Sequence, residues 1–266
     1  MFLSTVAKYI KLSLLMIKIN LKAQIEYKIS FITQIFSTIF SLTTFAVIWA
    51  IFFMRFSDIN GWQLTDSMLL LAISSINLGL INFFCEGVFD IAKIISSGEL
   101  DIYLTYPKST LWQLVTNKTF AAGLGDIAFG IFLLFFAGSL SAKQIILFTF
   151  LTILTSIIFF SFLVIVNSIG FFVKNFEEAA DQFFVCFWFY SFTPQKNFHG
   201  LFKILTMTII PGFFIAELPV SIIREFNFYK LLIMFIFTVF IFSLAVCIFK
   251  VGLKRYESGN LFQVRQ

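Results

Sequence analysis

Charge is the scarcest property of this chain. Only 12% of its 266 residues are Asp, Glu, Lys or Arg, 59% are apolar, and the mean hydropathy is +0.96. A soluble domain carries roughly a quarter charged residues, so this chain cannot cover a globular surface with polar groups. The shortage excludes a soluble fold and points to an integral membrane protein. Histidine occurs once, as His199 in a polar stretch, and reads as a surface residue. The three cysteines, Cys85, Cys186 and Cys247, lie far apart within or beside apolar runs. Their spacing offers no metal motif, and an odd count argues against a disulfide framework. No nucleophile–base–acid set is present, so neither a catalytic residue nor a metal ligand is assigned. A G-x-x-x-x-G-K-[ST] phosphate loop is also missing, which excludes ATP binding by that route.

The formal net charge of +5 does not imply nucleic acid. The basic residues are spread through segments beside apolar spans, which is a topology signature and not a binding face. Within the first 27 residues, Lys8, Lys11, Lys18 and Lys22 interrupt any signal-peptide core, and no small-residue cleavage site follows. At 100° per residue these lysines, with Ser4, share one arc of roughly 80°. Phe2, Leu3, Val6, Ile10, Leu14 and Ile17 lie off it. Residues 1–27 therefore read as an amphipathic helix in the headgroup region of an anionic leaflet, with membrane lipid as its partner.

Six apolar runs follow: 29–53, 67–90, 120–137, 145–172, 176–193 and 231–249. The second is expected to continue as helix through Glu86, Asp90 and Lys93 and to end at Gly98, a helix C-cap. Asn175 with Glu178 three residues on resembles a capping box for the fifth. Between the fifth and sixth, residues 200–220 are apolar but cut by Pro211-Gly212 into arms too short to cross. They read as a re-entrant hairpin. The expected fold is an all-α polytopic membrane protein of six transmembrane helices in one domain. It has an N-terminal interfacial helix and an external re-entrant hairpin before the last span. Placing both termini in the cytoplasm puts roughly 13 of the 19 Lys and Arg on that side, as the positive-inside bias requires.

Two polar features stand out. The segment SGELDIYLTYPKS, 97–109, sets two carboxylates, Glu99 and Asp101, among Leu100, Ile102, Tyr103, Leu104 and Tyr106. An aromatic-rich cytoplasmic loop of this kind suits docking. Asp126, in the third run, shares a helical face with Thr119, Gly123 and Gly130. That face reads either as a substrate-path or inter-subunit contact, or as a close-packing surface with a hydrogen-bonded Asp. Glu217 either lines an exit or points to water.

Gly98, the Leu100-Asp101 pair, Leu104 and Pro107 resemble the cytoplasmic loop of ABC-2 type ABC transporter permeases, in their six-span bacterial subgroup. "IIPGFFIAELP", 209–219, and "FWFYSFTP", 187–194, are similar blocks in the same order. The family often has Tyr where this chain has Thr193. The resemblance implies a permease subunit of an ATP-driven exporter in a bacterial plasma membrane. It implies that 97–109 holds a coupling helix, with Gly98, Glu99, Leu100, Asp101, Tyr103, Leu104 and Pro107 meeting a separate ATPase subunit. ATP and Mg2+ would be held by that ATPase and not by this chain. It also implies a second permease chain, identical or related, and an external gate at Pro211, Gly212, Glu217 and Pro219. The rival readings are a secondary transporter or channel using Asp126, which should show more buried charges and an inverted repeat, and a non-transporting scaffold.

Overall fold

Backbone in hydrocarbon must satisfy its own hydrogen bonds, which favours helices. The computed structural model describes residues 2–56, 58, 61–193, 200 and 210–256, and among these it is helical with no strand. The long helices are α1 (Phe2–Glu26), α2 (Lys28–Arg55), α3 (Leu64–Phe84), α8 (Ala142–Ser168) and α12 (Phe228–Arg255). Between α3 and α8 lie α4 (Ile91–Ser96), α5 (Leu100–Leu104), α6 (Thr110–Thr116) and α7 (Ala122–Leu133). After α8 come α9 (Glu177–Ser191), α10 (Gly212–Ile215) and α11 (Glu217–Arg224).

Among the described residues, four helices are long and apolar enough to cross a membrane: α2, α3, α8 with its 3-10 extension to Phe171, and α12. Their surroundings differ sharply. Two thirds of the most apolar stretch of α3 and of α8 is buried, but only 6% of that of α2 and 22% of that of α12. The centre is therefore α3 and α8, with α2 and α12 laid on the outside. The third apolar run gives a shorter unit, α7 plus a 3-10 turn at Leu134–Phe136. The fifth gives α9, 15 residues long.

Close packing of α7 on α3 follows from glycine. A Cβ at Gly123 would stand 2.6 Å from the Gly79 carbonyl oxygen, and one at Gly130 would stand 2.8 Å from that of Ala72. Two ion pairs mark the opposite ends of this helix pair. Arg224 Nε is 2.6 Å from Asp66 Oδ1 in the first turn of α3, and its Nη2 donates to the Ala137 carbonyl at 3.1 Å. At the other end Lys118 Nζ is 2.6 Å from Asp90 Oδ2.

The structure corrects several sequence expectations. The second run is not one helix to Gly98. It breaks at Cys85 (φ −138°, ψ 26°), passes through a 3-10 turn at Glu86–Asp90, and resumes as α4. No Pro marks the break, and its one glycine, Gly87, lies within the 3-10 turn. The cause is tertiary: the Asn82 carbonyl accepts from Phe120 N–H at 2.8 Å, and Gly87 lies against α6. Asn175 does not cap α9 either. It is left-handed at φ 53°, a conformation asparagine tolerates, and Phe176 takes the cap position without a side-chain bond. Glu177 and Glu178 do fall in the first turn, where the helix dipole favours them. The second arm of the expected hairpin is longer than 200–220 allows, because α11 runs on to Arg224. Pro219 sits in its first turn, where no intrahelical N–H bond is lost. Residues 201–209 of the first arm, His199 and Pro194 lie outside the described residues.

Candidate functional site

The 97–109 segment is built around Gly98 and Leu100. Ser97 N–H closes α4 on the Lys93 carbonyl at 2.9 Å, and Gly98 then turns the chain at φ +77°. A side chain at that φ is strained. Leu100 is fully buried, in a core with Ile91, Ile95 and Leu114, so it is an anchor and not part of an outer surface. Tyr103 turns inward as well, and its hydroxyl accepts from Asn117 Nδ2 at 2.7 Å. Ile102, Leu104 and Tyr106 point out, at 56%, 45% and 52% exposure. Glu99 and Pro107 are exposed beside them. The outer surface of the loop is thus three apolar side chains with a carboxylate at their edge.

Asp101 faces the chain itself. The Tyr256 hydroxyl donates to the Gly98 carbonyl at 3.3 Å and lies within hydrogen-bond reach of the Asp101 carboxylate. Burial pushes the Tyr256 phenol up to about 12, and the neighbouring Asp101 charge adds to the rise. Asp101 and Tyr256 together join the loop to the end of α12. The sequence offered no signal for that join, because the two residues are far apart in the chain.

A second attachment runs to α1. Tyr9 OH accepts from Ser109 N–H at 3.1 Å, and Trp112 Nε1 donates to Ser13 Oγ at 3.1 Å. Asn20 Nδ2 donates to the Asn117 carbonyl at 3.0 Å. Gln24 donates to the Thr119 carbonyl and accepts from Ala121 N–H. The Tyr9 and Trp112 rings meet edge to face with centroids 5.6 Å apart. These α1 residues lie on the face opposite Lys8, Lys11, Lys18 and Lys22, which are all exposed. A signal was available here: Asn20 and Gln24, one helical turn apart, are amides on the face away from the lysines.

Asp126 is only 1% exposed and accepts from Asn82 Nδ2 at 3.1 Å. Thr119 and Gly123 are buried with it, and Gly130 packs on α3. The small face of α7 thus lies against protein.

On the far side, Pro211 leads into α10, and Ile215, Ala216, Leu218 and Ile222 are buried in the core. Gln144 Nε2 donates to the Ile223 carbonyl at 3.1 Å. Pro211, Gly212, Glu217 and Pro219 therefore belong to a cap fastened to α8 and α3. The aromatic block lies against α2: Phe45 meets Trp188 and Phe192 with ring centroids 5.3 Å apart, and Trp49 Nε1 donates to the Phe192 carbonyl at 3.1 Å.

Compared with known proteins, residues 38–259 match the family described as ABC-2 family transporter protein. No curated protein and no solved structure matches the chain. The match opens inside α2 and closes beyond α12, so it takes in the loop, the α3–α7 pair and the cap, and leaves α1 outside. A chain covered in this way from its first long apolar helix past its last belongs to the ABC-2 family of transporter proteins, the transport membrane subunits of ABC exporters.

Proposed function

We propose that this chain is the permease subunit of an ATP-driven exporter in a bacterial plasma membrane. It crosses the membrane six times with both termini in the cytoplasm. It couples through residues 97–109 to a separate ATPase, which holds ATP and Mg2+. The observation that carries the proposal is the outward trio Ile102, Leu104 and Tyr106, mounted on a loop whose inner residues Leu100, Asp101 and Tyr103 are tied to the body of the chain. A small exposed apolar cluster with a polar rim is a docking surface, and its inner ties allow force on it to reach α4, α6 and α12. Asp126 serves the packing of α7 on α3. α10 and α11 form the external gate.

A second permease chain, identical or related, covers α2, whose apolar stretch is almost bare within one chain. Ser30, Thr33, Gln34, Ser37 and Thr38 of α2 line an open groove of about 930 Å3 at the α1–α2 elbow. Hydroxyls and an amide on a span fit a path for a partly polar cargo.

The test is affinity recovery of the full chain in mild detergent, with mass spectrometry of what accompanies it. A stoichiometric ATPase is expected with the native chain. Ile102→Asp and Tyr106→Ala, both outward positions, should lower its recovery at least tenfold while leaving the permease in the membrane at normal abundance. Recovery without any ATPase, or an ATPase indifferent to both variants, would overturn the coupling role.

A further inference from the structure

A second concavity, of about 850 Å3, lies behind α1 and is walled by α1, α3, α6, α8 and α12. Its walls are apolar: Leu80 and Phe84 from α3, Ile157 from α8, and Phe242 and Val246 from α12. Lys250 is the one charged residue among those that line it. A second cation stands close by, because Lys108 Nζ lies 4.1 Å over the ring of Tyr9, which also lines the cavity. From Lys250 back to Phe242 is roughly 12 Å of helix. The cavity is therefore an apolar slot with positive charge at one end.

Three of its walls are helices long and apolar enough to cross a membrane, so what surrounds its open side is lipid. We propose that this cavity binds the acyl chains of an anionic phospholipid of the cytoplasmic leaflet, with the headgroup phosphate held by Lys250 and Lys108. The leaflet rests on the cytoplasmic placement of 97–109 given above, whereas the site itself does not. The volume lies in the range of roughly 300–1,000 Å3 typical of ligand pockets. One lining lysine, a second cation over a lining ring, and no carboxylate among the lining residues select an anionic over a zwitterionic headgroup. The exposed lysines of α1 gather the same lipids at the surface. Tyr9, Ser109 and Trp112 line the cavity and also form the joint between α1 and α6. A bound lipid therefore braces that joint from behind, a few residues from the docking trio.

The experiment uses the purified full chain in phosphatidylcholine nanodiscs. The probe is a phosphatidylglycerol bearing a photoreactive diazirine midway along one acyl chain. After illumination, adducts are mapped by peptide mass spectrometry. Peptides covering 80–84, 153–160 and 242–246 should be labelled at least fivefold above exposed α2 peptides, which report ordinary lipid contact. Excess unlabelled phosphatidylglycerol should compete the signal away. Lys250→Gln, at an exposed position, should lower it at least threefold, and Val246→Trp, which fills the slot, should remove it.

Equal labelling of α2 and the cavity would overturn the proposal. So would equal labelling by a phosphatidylcholine probe, or photoadducts that join the slot to residues 257–266 or to a second copy of the chain. Labelling needs no ATPase, so loss of the label and loss of the ATPase in the recovery experiment are separate results.

Discussion

Gly87 has no room for a methyl group. A Cβ there would stand 1.9 Å from the Leu114 carbonyl oxygen and 2.2 Å from Asn117 Oδ1. Gly87→Ala must push α6 off the 3-10 turn, and overpacking of this kind costs about 1–3 kcal/mol. It should lower the melting temperature in detergent. Gly170→Ala, whose Cβ would meet Ala92 at an ordinary 3.4 Å, should leave it unchanged; equal effects would show that the contact at Gly87 is not limiting. In the sequence Gly87 is one glycine among 13, and only the approach of α6 makes it special. Asp101 shows the converse. Its presence in the loop was legible, but its direction was not, because Tyr256 comes from the other end of the chain. The neutral Tyr256 phenol is favoured in the folded state, so the stability it contributes holds below pH 10 and is lost as the pH rises through about 12. Its ultraviolet titration, taken as the difference from Tyr256→Phe, should fall in midpoint in Asp101→Asn. It should stay above the ordinary tyrosine value, since burial is the larger cause. An unmoved midpoint would detach Asp101 from Tyr256.

At the level of elements, composition located the four long apolar helices α2, α3, α8 and α12, because each is a run of apolar residues with a polar bracket. Breaks imposed from outside were not legible. The break at Cys85 goes with Phe120 N–H on the Asn82 carbonyl and α6 against the turn, and locally only Gly87 hints at it. The lysine face of α1 was readable at 100° per residue. Its partner was not, because the bonds run to residues 109–121. Gln24 is the most committed of these, holding both the Thr119 carbonyl and Ala121 N–H. Gln24→Leu leaves those backbone groups without their partner, and a buried group so stranded costs about 1–3 kcal/mol. Hydrogen exchange should show Ala121 N–H and the last turns of α1 exchanging faster, with α8 unaffected. Unchanged protection at Ala121 would mean that α1 is held by other contacts.

For the whole molecule, the question is whether α7 crosses. With its 3-10 turn it has 15 residues, roughly 22 Å of helix against a hydrocarbon core of about 30 Å. Length alone argues against a crossing. The two ion pairs argue for it. α3, at 21 residues, spans roughly 31 Å. It begins beside Asp66–Arg224, and the chain reaches Asp90–Lys118 just beyond its far end. α7 starts a few residues after Lys118, and its 3-10 turn ends beside Ala137, whose carbonyl Arg224 also holds. The two helices are flush in between, glycine on glycine. α7 with its short flanks therefore covers the distance that α3 covers, and thinning of the bilayer absorbs a mismatch of this size at modest cost. If α7 crosses, the exposed turn after it lies on the opposite side of the membrane from the 97–109 loop. Single cysteines at Thr105 and Ser139, both exposed, separate the cases in a chain with Cys85, Cys186 and Cys247 replaced by Ala. An impermeant maleimide should label position 139 in intact spheroplasts and position 105 only after permeabilisation. Labelling of both positions from the same side would leave α7 short of a crossing and reduce the count of six. Labelling of 105 alone from outside would invert the chain and move the docking trio away from any cytoplasmic ATPase.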